Sequence, residues 1–378
     1  MLTAIINAAV YTGAEIVRGK SLLIRDGRIE SFTEPGSVPE TARRIDCKGN
    51  SIAPGLIDLQ IAGGGGYLFS DDPTPEALEA IAGAIVRDGT TGFLIVIPTN
   101  SFEVIRKTIR IIRDNPHTAI LGLHLEGPYI NPARSGAHDK ALIRKPDKDE
   151  ITGLLKEAGG IIKMVTVAPE LCDAGFIQVI KDHGAVVAAG HSNATFPEAS
   201  SGFDRGVGAV THLFNAMSPL HHRDPGLPGA AFLDSRACAS IIADGIHVDY
   251  STLRIAKRIM KERLYLVSDA VEENAGGSYR HVRQDDRFTL PDGTLSGSLL
   301  SMLAAVRNCV ENAGISVDEA LRMASTYPAR LINAGDRGQI APGFRADIIE
   351  FDSDFQLKRV YTKGYLALEN EADKINRL

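Results

Sequence analysis

Apolar and polar positions repeat with two different textures along this chain. Residues 1–53 carry short β-type runs, among them Ala4 to Val10 and Ser21 to Arg25, and Asp26-Gly27 supplies a hairpin turn between two such runs. Beyond about Gly335 the same texture returns in "GQIAPGFRADIIEFDSDFQLKRVYTKGYL". The two ends are therefore read as one small discontinuous β-sandwich domain, 1–53 with 335–378. Between them lies a larger unit, 54–334.

In that central stretch the pattern becomes apolar run, polar end, then an amphipathic helix with a start signal. The predicted strands are Leu56 to Gln60, Phe93 to Thr99, Ala119 to Glu126, Met164 to Pro169, Ala185 to His191, Ala209 to His212, Ala239 to Ala243 and Leu264 to Asp269. Predicted helices include Pro75 to Asp88, Phe102 to Asp114, Ala174 to His183, Ser251 to Met260 and Met302 to Ala313. Nearly continuous apolar strands alternating with helices call for a parallel sheet, and eight repeats call for an α/β fold of the (β/α)8 TIM-like barrel type. A doubly wound open sheet is the rival. It is disfavoured because no G-x-G-x-x-G follows the first strand.

Composition narrows the class. With 378 residues and 44% hydrophobic content the chain can bury a large core, and a net charge of -6 argues against a general nucleic-acid surface. Cys47, Cys172, Cys238 and Cys309 are widely spaced with no C-x-x-C pair, so neither a disulfide scaffold nor a thiolate zinc site is suggested. No basic leader opens the sequence and no apolar stretch reaches the roughly 20 residues needed to span a bilayer. The expectation is a cytoplasmic enzyme with reduced thiols.

Barrel chemistry sits at the C-terminal ends of the strands, so the residue that ends each apolar run is decisive. Here these residues are Gln60, Glu126, His191, His212 and Asp269. Imidazoles and carboxylates on one rim match a catalytic divalent site, with about three protein ligands and an acid-base group beside them. Zinc is the first choice; iron, cobalt and manganese also suit such ligands. Any one of these histidines alone is more often a hydrogen-bonded strand-end residue, but their joint placement favours ligation.

Other histidines divide by context. His124 shares a strand face with Glu126 and reads as packing or as support for the ligands. His117 and His183 read as structural, and His281, in a polar loop, reads as solvent-exposed. His138 in "SGAHDK" reaches over the site or is a mobile surface residue, with equal weight. "NAMSPLHHRDPGLPG" offers Asn215 and Arg223, the latter able to grip phosphate in a forked geometry. His247 could join an anionic pocket, although a lone histidine there is more often structural. "LSGSLLSM" resembles a turn into a helix that could receive substrate oxygens, and capping by Ser298 explains it equally well.

Taken together, "PGLIDLQ", "HLEGPYINP", "GAH", "GHSNA", "THLFNAM", "PGLPG", "IIADGIHVD", "LVSDA", "LSGS" and "PGFRADI" closely resemble the N-acetylglucosamine-6-phosphate deacetylase family of the amidohydrolase superfamily, across essentially the whole chain. The resemblance implies hydrolysis of N-acetylglucosamine 6-phosphate to glucosamine 6-phosphate and acetate by a metal-bound hydroxide. It implies that Glu126, His191 and His212 bind the metal and that Asp269 is the general base and acid. His138 would polarise the acetyl oxygen, while Asn215, the Ala216 backbone, Arg223, His247 and the Leu295, Ser296, Gly297, Ser298 turn would hold substrate. A homodimer is implied, in which Arg223 or His247 can act in the neighbouring subunit.

Many amidohydrolases carry His-x-His where this chain has Gln60-Ile61-Ala62. A neutral amide is a poorer ligand than imidazole and Ala62 cannot ligate, so one firmly held metal per subunit is expected, with Gln60 positioning water or the ligands. An asparagine is common at the position of Ala62, which bears on the sugar contacts. Two rival readings are a deacetylase for N-acetylgalactosamine 6-phosphate or another N-acylated sugar phosphate, and a noncatalytic barrel scaffold.

Overall fold

The computed structural model describes residues 1–274, 277 and 279–369; the end of the expected C-terminal β segment, 370–378, lies outside the described residues. Eight strands form one parallel sheet in sequential order: β1 Leu56–Ile61, β2 Thr90–Pro98, β3 Ile120–Glu126, β4 Ile162–Val167, β5 Val186–Ala189, β6 Ala209–Val210, β7 Cys238–Ile241 and β8 Leu264–Leu266. Closure comes just past the strand ends, where Ile61 and Ala270 form a parallel bridge and the Ala62 N–H donates to Ala270 O at 2.8 Å. The result is the expected (β/α)8 barrel. Every residue of β1 and of β2 is buried, as strands covered on both faces require.

Helices follow each strand: α1 Pro75–Arg87, α2 Phe102–Asp114, α3 Lys148–Ala158, α4 Ala174–Asp182, α5 Phe196–Asp204, α6 Gly226–Leu233, α7 Tyr250–Met260 and α8 Met302–Glu311. Their starts obey local chemistry. The Ser101 side chain accepts from the Val104 N–H, and Thr195 with Glu198 makes a reciprocal capping box, so orphan N–H groups at both helix starts are satisfied. In α2 the buried residues are Ile105, Thr108, Ile109 and Ile112, the spacing of a single face.

The chain ends build separate sheets. One has four strands, with Leu2–Ile6 between Ser21–Arg25 and Arg43–Asp46 and with Arg28–Thr33 at the edge. The Asp26-Gly27 turn has φ of 48° and 80° at its two residues, the geometry that the right-handed twist of a tight hairpin favours. The other sheet has six strands and joins both termini, because Ile348–Phe351 pairs antiparallel with Ser51–Pro54. Ile5, Leu22, Ile24, Ile52, Ile348 and Tyr361 share one core across these two sheets.

By compactness the chain divides into residues 1–58, 85–92 and from 302 on, and residues 59–84 with 93–301. The first unit holds both terminal segments together with α8. Every residue of the site described next belongs to the second.

Candidate metal centre

Three of the five strand-end groups lie not in the strands but in the turns that follow them. β5 stops at Ala189, β6 at Val210 and β8 at Leu266, and His191, His212 and Asp269 then adopt φ of 46°, 32° and 55°. Such left-handed backbone is uncommon for residues other than glycine, and it costs conformational energy that the surrounding structure must supply. It swings each side chain off the strand axis. Glu126, by contrast, is the last residue of β3 itself.

Two of these turns and the end of β3 bring three donors to one point. His212 Nε2 lies 2.9 Å and His191 Nε2 3.2 Å from Glu126 Oε1, and the two Nε2 atoms are 3.0 Å apart. All three residues are buried, and one ligand atom from each lies within 4.8 Å of the others. His191 Nδ1 faces the Arg134 carbonyl at 3.0 Å, so Nδ1 carries the ring proton and Nε2 turns a lone pair to the centre. The buried Nδ1 of His212 has no hydrogen-bond partner among the described residues. Two imidazole nitrogens this close to each other and to a carboxylate need a positive charge between them, and two nitrogens with one oxygen suit a borderline divalent cation. The residues fit a metal.

Around this trio stand the proton-handling groups. Gln60 Nε2 donates to Glu126 Oε1 at 3.1 Å and to Asp269 Oδ1 at 2.8 Å. Both partners are carboxylates, so only the amide nitrogen of Gln60 can face them. His138 Nε2 is 3.7 Å from Glu126 Oε2, and its ring lies 4.2 Å from that of His191.

Burial pushes the Asp269 carboxyl up, and the negative charge of Glu126 adds to the effect. Burial acts the same way on Glu126, but the imidazoles of His138, His191 and His212 around it outweigh burial and hold that carboxyl well below its ordinary range. Burial pulls His138 down to about 4, helped by the neighbouring His191, so its ring is neutral. His212 is opposed by burial and nonetheless raised by its bond to Glu126. Two carboxyls in one site thus move in opposite directions, the usual arrangement where one group binds and the other carries a proton.

The cavity over these groups encloses about 270 Å³. Of the expected substrate residues, Asn215, Ala216, His247, Leu295, Ser296 and Gly297 line it. Ser298 does not. Its hydroxyl donates to Ser268 O at 2.5 Å and its N–H to Asp269 O at 3.0 Å, so it holds the Asp269 turn in place. Arg223 is exposed on its loop with its guanidinium 2.9 Å from His222 Nε2, and it is not among the residues lining the cavity. His247 is held by Asp244, Nδ1 to Oδ2 at 2.5 Å.

The expected solvent exposure of His281 is a correction. It is 5% exposed, lines the cavity, bonds Ser296 Oγ through Nδ1 at 2.9 Å and stacks on Tyr279 with centroids 6.2 Å apart. The i, i+2 spacing of Tyr279 and His281 in "SYRHV" was the available signal, since extended backbone puts both on one side. Also missed was an apolar wall in which Ala62, Leu68, Val96 and Tyr279 pack together with Val271. His124 stays beneath the site, Nδ1 to Leu59 O at 3.0 Å and Nε2 to Thr166 Oγ1 at 2.7 Å.

Comparison with known proteins shows the family. Residues 51–367 match a family model described as the amidohydrolase family. A Haemophilus influenzae protein named N-acetylglucosamine-6-phosphate deacetylase is 33% identical over 96% of this chain and 99% of its own. An Escherichia coli O157:H7 protein named N-acetylgalactosamine-6-phosphate deacetylase is 34% identical over 92% and 94%. The crystal structure of N-acetylglucosamine-6-phosphate deacetylase from Pasteurella multocida superposes with a TM-score of 0.94 at 32% identity, covering 98% of this chain and 100% of that one. A Mycobacterium smegmatis mutant enzyme solved in complex with N-acetyl-D-glucosamine-6-phosphate gives 0.90 at 28% identity, covering 97% and 99%.

Proposed function

This chain belongs to the amidohydrolase family, and from that premise we propose that it hydrolyses the acetamide of N-acetylglucosamine 6-phosphate to glucosamine 6-phosphate and acetate. The observation that carries the reading is the placing of Asp269 beside the Glu126, His191, His212 trio in one cavity, bridged by Gln60. Relatives of that name covering nearly the full chain support it.

Glu126, His191 and His212 would hold one divalent cation, zinc in the first instance. When bound, such a cation would supply Lewis acidity and lower the pKa of a coordinated water toward neutrality. The chain's own residues manage the rest. Asp269 accepts the proton of the attacking water and returns it to the departing amine, which needs no covalent intermediate. His138, neutral, donates to the acyl oxygen as negative charge develops there. Gln60 occupies the position where a second metal's ligand would stand and aims its N–H groups at both carboxylates, which supports a single-metal centre.

Asn215, Ala216, His247, Ser296 and Gly297 would hold the sugar phosphate. Arg223 would grip the phosphate from a second copy of the chain, since in its own subunit it stands outside the cavity; a homodimer follows from this role. The free cysteines suit a cytoplasmic setting.

The epimer is the remaining choice, because relatives named for the gluco and the galacto substrates are 33% and 34% identical to this chain. The test is acetate release from a panel of N-acetylated hexosamine 6-phosphates. Preferential release from the gluco epimer is expected. Faster release from the galacto epimer would move the assignment to that substrate, and no release from any panel member with any divalent ion would favour a noncatalytic scaffold.

A further inference from the structure

Thr99 is the first residue past β2, and two of its hydrogen-bonding groups meet the same atom. Its backbone N–H reaches His138 Nδ1 at 3.3 Å and its hydroxyl reaches it at 2.8 Å. A backbone N–H can only donate. If Nδ1 carried a proton, two N–H bonds would point at each other in a buried site, so Nδ1 is the acceptor. A neutral imidazole protonates one nitrogen, which leaves the proton on Nε2. That atom is the one turned toward Glu126, at 3.7 Å from Oε2.

Thr99 is itself clamped. The Tyr279 hydroxyl donates to Thr99 O at 2.6 Å. Gly127, at φ +94°, leaves the room the hydroxyl needs, because a Cβ there would stand 2.3 Å from Thr99 Oγ1. This gives the glycine after Glu126 a steric reason. The His138 ring is held between the His191 ring and the edge of Tyr279, whose centroid is 6.2 Å away at 88°.

We propose that Thr99 is a positioning residue that fixes the tautomer of His138, so that Nε2–H is presented as a ready donor to the acyl oxygen. The second half of this statement rests on the deacetylase reading; the tautomer does not. Without the hydroxyl, Nδ1 keeps only the longer bond from the backbone, and the ring gains freedom to rotate or exchange tautomers.

The test uses the metal-loaded full chain with 15N-labelled histidine, read by long-range 15N–1H correlation, together with kinetics on N-acetylglucosamine 6-phosphate. In the wild type, His138 should show a protonated Nε2 and an acceptor Nδ1. Thr99→Val keeps the backbone N–H and removes the hydroxyl; it should lose the single-tautomer signature and at least about 10-fold in kcat, with KM little changed. Thr99→Ser should restore both, which a loss of packing alone would not. A wild-type His138 protonated at Nδ1, or a folded Thr99→Val with unaltered tautomer and kcat, overturns the proposal. If wild-type chain releases no acetate, the deacetylase reading fails, and the spectra alone still decide the tautomer.

Discussion

Gln60 Nε2 lies 2.8 Å from Asp269 Oδ1, and the same nitrogen reaches Glu126 Oε1 at 3.1 Å, so one neutral amide ties the proposed proton carrier to a proposed metal ligand. Its amide nitrogen faces both carboxylates. The double substitution Gln60→His with Ala62→His recreates a His-x-His pair and should raise the bound metal from one toward two equivalents per chain by elemental analysis. A wild-type chain that already retains two equivalents after dialysis would refute the single-cation assignment.

Asp269 is the group whose loss should separate chemistry from binding. Asp269→Asn keeps the shape and removes the proton carrier, so turnover should fall by about 10²- to 10⁴-fold while metal content and melting temperature hold. Near-normal turnover in the folded variant would reject the role.

Arg223 is exposed, which makes its proposed contribution separable. Arg223→Met should raise KM for the phosphorylated substrate about 10- to 100-fold, the value of one charge-assisted hydrogen bond, with kcat little changed. Mixing Arg223→Met chains with inactive Asp269→Asn chains should then restore efficient sites, because each mixed dimer pairs an intact Asp269 with an intact Arg223 from its neighbour. No recovery on mixing would confine Arg223 to its own subunit or remove it from the site.

His281 predicts a pH dependence of stability. Burial holds its folded-state pKa at about 4, below the ordinary 6.5. The unfolded chain therefore binds a proton first as pH falls, so stability declines from about pH 6.5 and levels off near pH 4, by at most about 3 kcal/mol. His281→Asn should flatten that segment of a urea-unfolding series. An unchanged slope in the variant would assign the acid sensitivity to other groups.

The barrel was legible because eight apolar runs with polar ends repeat, and burial on both faces needs that pattern. That Glu126, His191 and His212 end such runs was legible for the same reason, and the structure brings the three together. What the pattern could not reveal is the turn. It extends the strands through His191, His212 and Asp269, whereas β5, β6 and β8 stop short and left-handed residues aim those side chains. A left-handed histidine carries no local signature, since the surrounding contacts impose the conformation. Tyr279 and His281 were hidden by a polar loop whose burial depends on segments far away in sequence. Thr99 read simply as the end of an apolar run; its part emerges only when His138, 39 residues later, folds back onto it.

One divalent cation held by Glu126, His191 and His212 is proposed to serve the hydrolysis. Its most direct test is to strip the chain of metal, titrate a single divalent ion back and follow acetate release from N-acetylglucosamine 6-phosphate. Activity should rise linearly and break at one equivalent per chain, and Glu126→Gln should abolish both binding and release. Full activity in the metal-free chain, or a break at two equivalents, would contradict the account.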